Sequence, residues 1–584
     1  MIRDKVDAKP EPPPRTNSRR MDPVLLALPG LLVATALTYS STFHFGWVYD
    51  DPPQIPQNPN LQWNRLGFLF THQLWASTVA AQSRFYRPFL TFWFLINKSI
   101  FGLNPHWFHL TTVLAHIAAT TLAFFIARSF CKDPGSALLA AAIFALHPLQ
   151  SESVSWISAV NDPLAAIFCF ASFLAYRKAL AKQQNRGLWW GLAGILFLFA
   201  LLTKEVSIVL PGIVLVDLWI APGSGALKTT PETKLRSLAP AIFTYGFVAL
   251  AWLAFRAWVL GHTPSASAPV SWSTILLSAP KIFLFDLYRV VVPVGLSPQY
   301  DFHVMSSFNG DFLFSTAVLV ALISLAVVAA KRNSQLWVAF AWLFLPILPT
   351  LNLRWMNQND FIHDRYTYIG MLGVALLAGS AYRWIKDKWP AQRFLLPLAA
   401  ALILGMAFAS AIQSQYWANN LILFSRAVSR APENEWAQLN YGSALSASGK
   451  YTEAAPHFVR SYSLNPNWRA ADFAAVAYQY SGDLLEAESW FKTALQQYPG
   501  SSEAWFGLGQ IQLSERQPEQ AIFDFQRAIA LNPTAAGFHY ELGVALEQTS
   551  QFQEAMKEFE TELQMHPDQT IARDALNRLQ GVKK

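Results

Sequence analysis

Charged residues and cysteines are both scarce in this chain of 584 residues. Asp, Glu, Lys and Arg make up 14% of it, whereas a typical soluble domain has about 25%. The two cysteines, Cys131 and Cys169, exclude a disulfide framework and a cysteine-based metal site. No His/Cys group has zinc spacing, and the sequence lacks a nucleophile elbow and a phosphate-cradling glycine loop. These absences exclude several common classes of soluble enzyme.

Apolar and aromatic residues are abundant instead. Hydrophobic residues make up 53% of the chain, with 22 Trp and 43 Phe, and the mean hydropathy is +0.24. Residues 1–410 carry a net charge of +13 and residues 411–584 a net charge of −6. The overall charge of +7 therefore does not indicate a nucleic-acid partner. It is better explained by basic loops of a membrane domain.

Eleven apolar runs have the length expected of membrane spans. They lie at about 24–43, 106–128, 135–150, 163–181, 187–203, 206–220, 239–260, 312–330, 336–351, 366–383 and 394–412. With the N-terminus inside, every strongly basic loop between them falls on the cytoplasmic side. Two further apolar stretches, 88–102 and 275–294, contain charges. We interpret both as helices that lie in the outer interface.

The membrane half is expected to be a polytopic domain at 22–412, preceded by a cytoplasmic, Pro-rich, basic tail at 1–21. No small-residue cleavage site follows the first span, so the sequence predicts an uncleaved anchor. The outer-face loops are then 44–105, 147–162, 261–311 and 352–365. This pattern indicates a multi-pass protein of the bacterial inner membrane, with its N-terminus in the cytoplasm.

The last 150 residues have a different character. After a linker helix at 413–433, small residues, aromatics and a closing proline recur four times in one frame over 434–569. The closing prolines Pro466, Pro499, Pro533 and Pro567 are 33, 34 and 34 residues apart. This spacing predicts tetratricopeptide repeats, each an antiparallel helix pair, with a capping helix and tail at 570–584. The fold class is therefore all-α, and an odd span count places this α-solenoid outside.

Two adjacent carboxylates, Asp50 and Asp51, follow the first span. Asp-Asp-Pro-Pro is good turn chemistry, but other ionisable residues of the outer loops converge on the same membrane face. They are His147, Glu152, Asp162, Arg87, Lys204, Glu205, Asp364, Arg365 and Tyr366. Acids and bases beside apolar helices suit an anionic headgroup on a lipid tail. Arg and Lys would hold its phosphate, and a carboxylate would act as a base.

Several of these residues have a structural alternative. His147 precedes Pro148 and is also typical of a helix end. Asp162 is placed to cap the helix that begins near Pro163. Lys204 and Glu205 also fit a polar turn between two spans, and Arg365 fits a charged anchor at a helix start.

The order of motifs along the chain resembles one family. The motifs are Asp50-Asp51, Tyr86-Arg87-Pro88-Phe89, Phe101-Gly102-Leu103-Asn104-Pro105, His147-Pro148 with Glu152 and Trp156, Asp162, Lys204-Glu205, and Asp364-Arg365-Tyr366. Followed by tetratricopeptide repeats, this series resembles the transmembrane-and-tetratricopeptide-repeat (TMTC-type) proteins over roughly 22–570. They belong to the GT-C glycosyltransferases, alongside protein O-mannosyltransferases. The resemblance implies a GT-C-like membrane domain.

The resemblance also implies an activity. Such enzymes transfer one mannose-like sugar, with inversion, from a polyprenyl-phosphate carrier to a protein Ser or Thr hydroxyl. Asp50 or Asp51 would be the general base, and Glu152 and Asp162 would be supporting acids. Arg365, Lys204 and Arg87 would bind the donor phosphate, and His147, Glu205, Asp364 and Tyr366 would lie at the same face. No metal or other cofactor is predicted.

One departure from the family pattern is visible in the second loop. The usual Gly-Arg-x-Asp is here Ala159-Val160-Asn161-Asp162, so a basic phosphate contact is missing, and Arg84 or Arg87 is the candidate substitute. The expected partners are a lipid-linked sugar donor, the membrane and a protein acceptor or partner on the repeats, without nucleic acid. The alternatives are a transporter and a membrane-anchored repeat scaffold. Clustering of acids at span ends, rather than at mid-membrane, favours the enzyme.

Overall fold

The structure, a computed structural model, describes residues 23–76, 85–131, 133–181, 184–219, 238–261, 270–356, 360–389 and 393–582. Helices dominate these ranges, which contain no β-strand. The predicted all-α fold is confirmed. The predicted N-terminal tail and Arg84 lie outside the described residues.

Six helices of the described ranges are long and apolar enough to cross a membrane. They are Pro105–Cys131, Ile157–Ala181, Arg186–Thr203, Leu238–Leu260, Gly310–Arg332 and Leu395–Gln415. A bent pair, Pro134–Leu146 and Pro148–Ser155, meets at 47° and would make a seventh. Two apolar helices, Ala27–Thr38 and Gln335–Leu351, are shorter.

Helix length and composition thus support fewer spans than the eleven that the sequence predicts. The run at 206–220 is divided between a 3₁₀ turn, Glu205–Val209, and the ten-residue helix Leu210–Trp219. The run at 366–383 becomes Met371–Lys388, whose last turn is basic. Each of the eleven runs overlaps a helix, but the full span count stays a prediction.

Exposed apolar side chains cover two of the long helices. Phe314 and Leu325 on Gly310–Arg332 are exposed, as are Leu404 and Phe408 on Leu395–Gln415. Soluble proteins rarely expose apolar helix faces of this kind to water, whereas in a membrane the lipid tails cover them. These two helices therefore have the surface of lipid-facing spans.

Glycines bring the helix Met371–Lys388 close to two neighbours. A Cβ on Gly373 would lie 2.4 Å from the Ala339 carbonyl oxygen, and one on Gly379 would lie 2.8 Å from that of Ser136. Backbones approach this closely only at small residues. The packing fixes the 3₁₀ turn Asp364–Thr367, just before this helix, relative to the loop that follows Pro134–Leu146.

Short helices form the loops on one side of the membrane half. The first loop contains Ser40–His44, Asp51–Gln54, Trp63–Arg65 and Leu66–Thr71. The second contains Pro148–Gln150, Ser151–Ser155 and Ile157–Val160. The two stretches interpreted as interfacial are helical at Pro88–Phe101 and Trp272–Val291.

The C-terminal part consists of stacked helix pairs. The pairs are Glu435–Ala447 with Tyr451–Leu464, Trp468–Ser481 with Leu484–Gln497, Ser502–Ser514 with Pro518–Leu531, and Phe538–Gln548 with Phe552–Met565. The helix Thr570–Val582 follows. Glycine allows the packing within three of the four pairs: a Cβ on Gly442, Gly509 or Gly543 would lie within 3 Å of a Phe ring on the following helix.

A helix at Asn420–Arg430, here called the junction helix, connects the two halves. Together with the preceding Trp417 it buries apolar side chains against the first and second loops. Asn434, just after it, donates to the Tyr300 carbonyl oxygen at 3.2 Å. The repeats are therefore anchored to the loop side of the membrane half.

Candidate active site

Asp51 is buried and holds two loops together. Its carboxylate accepts hydrogen bonds from the Val48 amide at 3.0 Å, the Ser158 amide at 2.9 Å and the Ser158 hydroxyl at 2.5 Å. Burial raises the pKa of Asp51 to about 7, although these hydrogen bonds oppose the rise. Because three donors occupy its oxygens, Asp51 joins the first loop to the second and is poorly placed to accept a substrate proton.

Asp50 has the opposite environment. In the described part of the chain its carboxylate accepts no hydrogen bond, and its side chain is only partly buried. Burial raises the pKa of Asp50 to about 6, and the charges of Arg365 and Arg87 limit the rise. A carboxylate with that pKa, without a fixed partner and beside two cations, is suited to general-base chemistry near neutral pH.

The backbone before Asp50 is strained. Tyr49 has a φ of 55°, in the left-handed region that side chains other than glycine rarely adopt. Such outliers persist only where the surroundings hold them and are common at functional sites. Tyr49 directly precedes the two carboxylates, of which Asp51 is buried and Asp50 is partly buried.

Each of the three predicted phosphate-binding cations is paired with an acid that the sequence also places at the site. Arg365 binds Glu152 and Lys204 binds Asp162, whereas Arg87 and Glu205 form a bidentate pair with one contact at 2.9 Å. Glu152 also accepts from the Arg365 backbone amide at 3.1 Å. The partners lie 213, 42 and 118 residues apart in sequence.

Tyr366 lies between two of these pairs. Its ring centre is 5.2 Å from the Arg365 guanidinium and 5.7 Å from the Lys204 ammonium. Burial is the main cause that lowers the pKa of Lys204, and the charge of Arg87 lowers it further. All three cations therefore lie within mutual electrostatic reach around one aromatic ring.

The arginines keep donors for an anion. In the described part of the chain, Arg365 donates to Glu152 through one terminal nitrogen and leaves Nε and the other terminal nitrogen unused. Arg87 uses Nε and one terminal nitrogen on Glu205. The side chains of Arg365 and Arg87 are 16% and 13% exposed, against 5% for Lys204. The arginines are thus the accessible cations, and Lys204 is mainly a partner of Asp162.

Burial alone would raise the pKa of Glu205, but the Arg87 charge outweighs it and lowers that pKa to about 2. Glu205 therefore stays ionised and fixes the Arg87 guanidinium in one orientation.

Asp162 lies in the first turn of Asn161–Ala181 rather than at its N-cap, and it accepts from the Ser153 hydroxyl at 3.3 Å.

Two residues predicted at this face have other contacts. His147 ends Pro134–Leu146, and its ring nitrogens contact the Val290 carbonyl oxygen at 3.0 Å and the Leu149 amide at 3.3 Å. This is the structural alternative of a helix end. Asp364 binds Arg289 and accepts from the Tyr300 hydroxyl at 2.7 Å, in a separate buried network that includes Asp286.

Asp360 belongs to the acids and bases that the sequence places in the late outer loop, but the sequence predicts no role for it. Its side chain is 11% exposed, and its Oδ1 accepts no hydrogen bond from the described residues, although His363 Nε2 lies 3.4 Å away. Burial raises the pKa of Asp360 to about 7, and the charge of Asp50 adds to the rise. The motif Asp364-Arg365-Tyr366 marks its loop, but no feature of the sequence brings Asp360 next to Asp50. Among the described residues, no group of three or more His, Cys, Asp or Glu side chains could hold a metal ion.

The sequence profile of the tetratricopeptide repeat matches residues 502–535. The chain is 26% identical over 498 residues to human protein O-mannosyl-transferase TMTC1, covering 75% of this chain and 55% of that protein. It is 21% identical over 630 residues to human TMTC3, covering 92% and 68%. The match to human TMTC4 is 25% over 492 residues, covering 73% and 64%. The resemblance to the TMTC-type proteins is confirmed, and the chain spans between about half and two thirds of these relatives.

Solved structures of repeat proteins also match part of the chain. A crystal structure of MamA is 18% identical, with a TM-score of 0.24, and covers 26% of this chain and 88% of that one. The crystal structure of YrrB, a TPR protein with an unusual peptide-binding site, is 17% identical with a TM-score of 0.25, covering 33% and 97%.

Proposed function

We propose that this chain is a membrane glycosyltransferase that transfers one mannose-like sugar from a polyprenyl-phosphate carrier to a Ser or Thr hydroxyl of a protein. The observation that carries the proposal is the contrast between Asp50, whose carboxylate has no fixed partner among the described residues, and three acid-paired cations, two of which contact the Tyr366 ring. A base and an anion site at one face are the two requirements of such a transfer. The names of the relatives agree with this substrate class.

In this proposal Asp50 accepts the proton of the acceptor hydroxyl while the oxygen attacks the anomeric carbon. The bond between that carbon and the carrier phosphate breaks, and the phosphate leaves with the electron pair. Single displacement from the opposite face inverts the anomeric centre. A positioned base contributes roughly 10²–10⁴-fold, because a hydroxyl is a poor nucleophile at neutral pH.

Arg365 and Arg87 would stabilise the charge that develops on the leaving phosphate. Asp50 is electrostatically coupled to both guanidinium groups, which places the base and these two cations in one site. Glu152 and Glu205 hold the two guanidinium groups in place before the donor binds, so that little reorganisation is needed during the reaction.

The site and the repeats would face the extracytoplasmic side of a bacterial inner membrane, as the basic loops predict. The repeats, anchored beside Tyr300, would bind the protein acceptor or a partner that delivers it. This arrangement places an acceptor segment on the same side as the reacting face.

The test is transfer by the purified protein in lipid nanodiscs. Mannosyl polyprenyl phosphate and a Ser/Thr-rich peptide should give a product one hexose heavier, with an inverted linkage by NMR. A nucleotide-linked mannose should give none, and Arg365→Gln should raise the donor KM. Transfer from the nucleotide sugar, or no transfer from any lipid-linked hexose, would overturn the proposal.

A further inference from the structure

Four aromatic rings connect the start of the repeat half to the candidate site. Trp417 stacks on Trp156 with ring centres 5.5 Å apart and planes at 14°. Trp156 lies 5.2 Å from the Tyr49 ring, whose edge contacts Phe424 of the junction helix at 5.4 Å. The Arg365 guanidinium lies 5.0 Å over Trp156. The stack therefore supports both Tyr49, the residue before Asp50, and the cation Arg365.

One polar contact fixes the backbone of this stack. The Asn420 side-chain oxygen accepts the Tyr49 amide at 2.8 Å, across 371 residues of sequence. Tyr49 is the residue with a φ of 55°. An L side chain leaves that region unless other contacts hold it there. Asn420 supplies a directed contact to the strained residue, and Phe424 and Trp156 supply the packing.

We propose that Asn420 is a positioning residue of the reaction, acting through Tyr49 to set the direction of the Asp50 carboxylate. The proposal rests on the proposed function in that Asp50 is the base. It makes the first turn of the junction helix part of the reaction centre, although this helix lies between the membrane half and the repeats. Neither Asn420 nor Trp417 needs to touch substrate for this role.

Misplacing a reacting group by about 1 Å lowers turnover by as much as 10²-fold. Loss of the Asn420 contact frees the Tyr49 peptide to rotate, and rotation at Tyr49 moves Asp50 directly. We expect Asn420→Ala to lower kcat by about tenfold or more and to leave the donor KM within about twofold. The cations remain fixed by Glu152 and Glu205 in this variant.

The adjacent Asn419 provides a matched control. Its side chain caps the junction helix by accepting the Ile422 amide at 3.0 Å, whereas the Tyr49 amide donates to Asn420 instead. Asn419→Ala therefore weakens the same helix start without changing the strained residue. We expect its kcat to stay within about twofold of wild type. Asn420→Asp keeps an acceptor oxygen and should recover most of the turnover that Asn420→Ala loses.

The experiment measures kcat and donor KM for the three variants in nanodiscs and determines the structure of Asn420→Ala by electron cryomicroscopy. The inference predicts that Tyr49 leaves the left-handed region in that structure. It is overturned if Tyr49 keeps its positive φ, if Asn420→Ala turns over at the wild-type rate, or if Asn419→Ala loses as much. If the wild-type protein transfers no sugar, the proposed function fails and the positioning role fails with it, whereas the structure of the variant still decides whether Asn420 holds Tyr49 in the left-handed region.

Discussion

The two adjacent aspartates should give opposite phenotypes when each is replaced by asparagine. At Asp51, one carboxylate oxygen becomes an amide NH₂ group that faces an N–H donor. If the remaining oxygen stays on Ser158, the Val48 amide loses its acceptor. A buried donor without a partner costs about 1–3 kcal/mol. Asp51→Asn should therefore lower the free energy of unfolding by about that amount.

At Asp50 no hydrogen bond is lost, because its carboxylate accepts none among the described residues. Its pKa of about 6 lies above the ordinary value of 3.8, so the folded state disfavours the ionised form at any pH above about 6. Asp50→Asn removes that penalty. We expect an unchanged or slightly higher unfolding temperature at pH 7.5, together with a fall in kcat of roughly 10²–10⁴-fold.

The assay combines thermal unfolding in nanodiscs with initial rates of sugar transfer, both at pH 7.5. Ser158→Ala is the matched control, since it removes the hydroxyl donor to Asp51 and leaves the two amide donors. It should lower stability modestly with turnover near wild type. The reasoning is refuted if Asp51→Asn abolishes transfer at an unchanged unfolding temperature while Asp50→Asn stays active.

Four other outcomes follow from the same contacts. The value of kcat/KM should rise with pH and reach half its maximum near pH 6, because Asp50 must be ionised. Arg87→Gln should move this midpoint upward, because the Arg87 charge lowers the pKa of Asp50. A flat profile from pH 5 to 8 would contradict this. Asp360→Asn should keep this midpoint near pH 6, since Asp360 has a pKa of about 7 and is largely protonated at pH 6. If the rise of kcat/KM with pH disappears in this variant, Asp360 is the base instead. Arg365→Gln should raise the donor KM about 10–100-fold, because charge-assisted hydrogen bonds worth about 1.5–3 kcal/mol are lost. It should also lower the unfolding temperature, and adding Glu152→Gln should recover stability but not the donor KM. Gly507→Ala would place a Cβ 2.2 Å from the buried Phe491 ring and should lower the melting temperature of the repeats, whereas Gly581→Ala, with open space around it, should not.

Much of the fold follows from local rules that the sequence displays. Pro88, Pro105 and Pro134 each stand at the first position of a helix, where their missing amide hydrogen costs nothing. The helix pairs at 435–565 follow from a repeat frame of small residues and aromatics, and in three of the four pairs a glycine on one helix faces a Phe ring on the next. The number of spans is less accessible, because Leu210–Trp219 is apolar but only 10 residues long, and Met371–Lys388 ends in a basic turn.

The site was predictable in composition but not in pairing. Sequence order indicates which loops share a face, but it does not indicate that Arg365 pairs with Glu152 or that Arg87 pairs with Glu205. The left-handed backbone at Tyr49 could not be predicted, since that conformation is ordinarily expected at glycine or asparagine. Its conformation depends on Asn420, which is too distant in sequence to be connected with it by any local pattern.

Pairing of the cations also bears on which acid reacts. Burying an unpaired guanidinium or ammonium costs several kcal/mol, so a pre-formed anion site near apolar helices needs counter-charges in the absence of its ligand. Glu152, Asp162 and Glu205 provide them, and each is hydrogen-bonded to its cation. An acid in that position is a poor proton acceptor, because protonation would break its ion pair. Asp51 is excluded on similar grounds by its three donors. Asp50, within reach of two arginines but bonded to neither, can gain and lose a proton without dismantling the site, which is why we assign it the base.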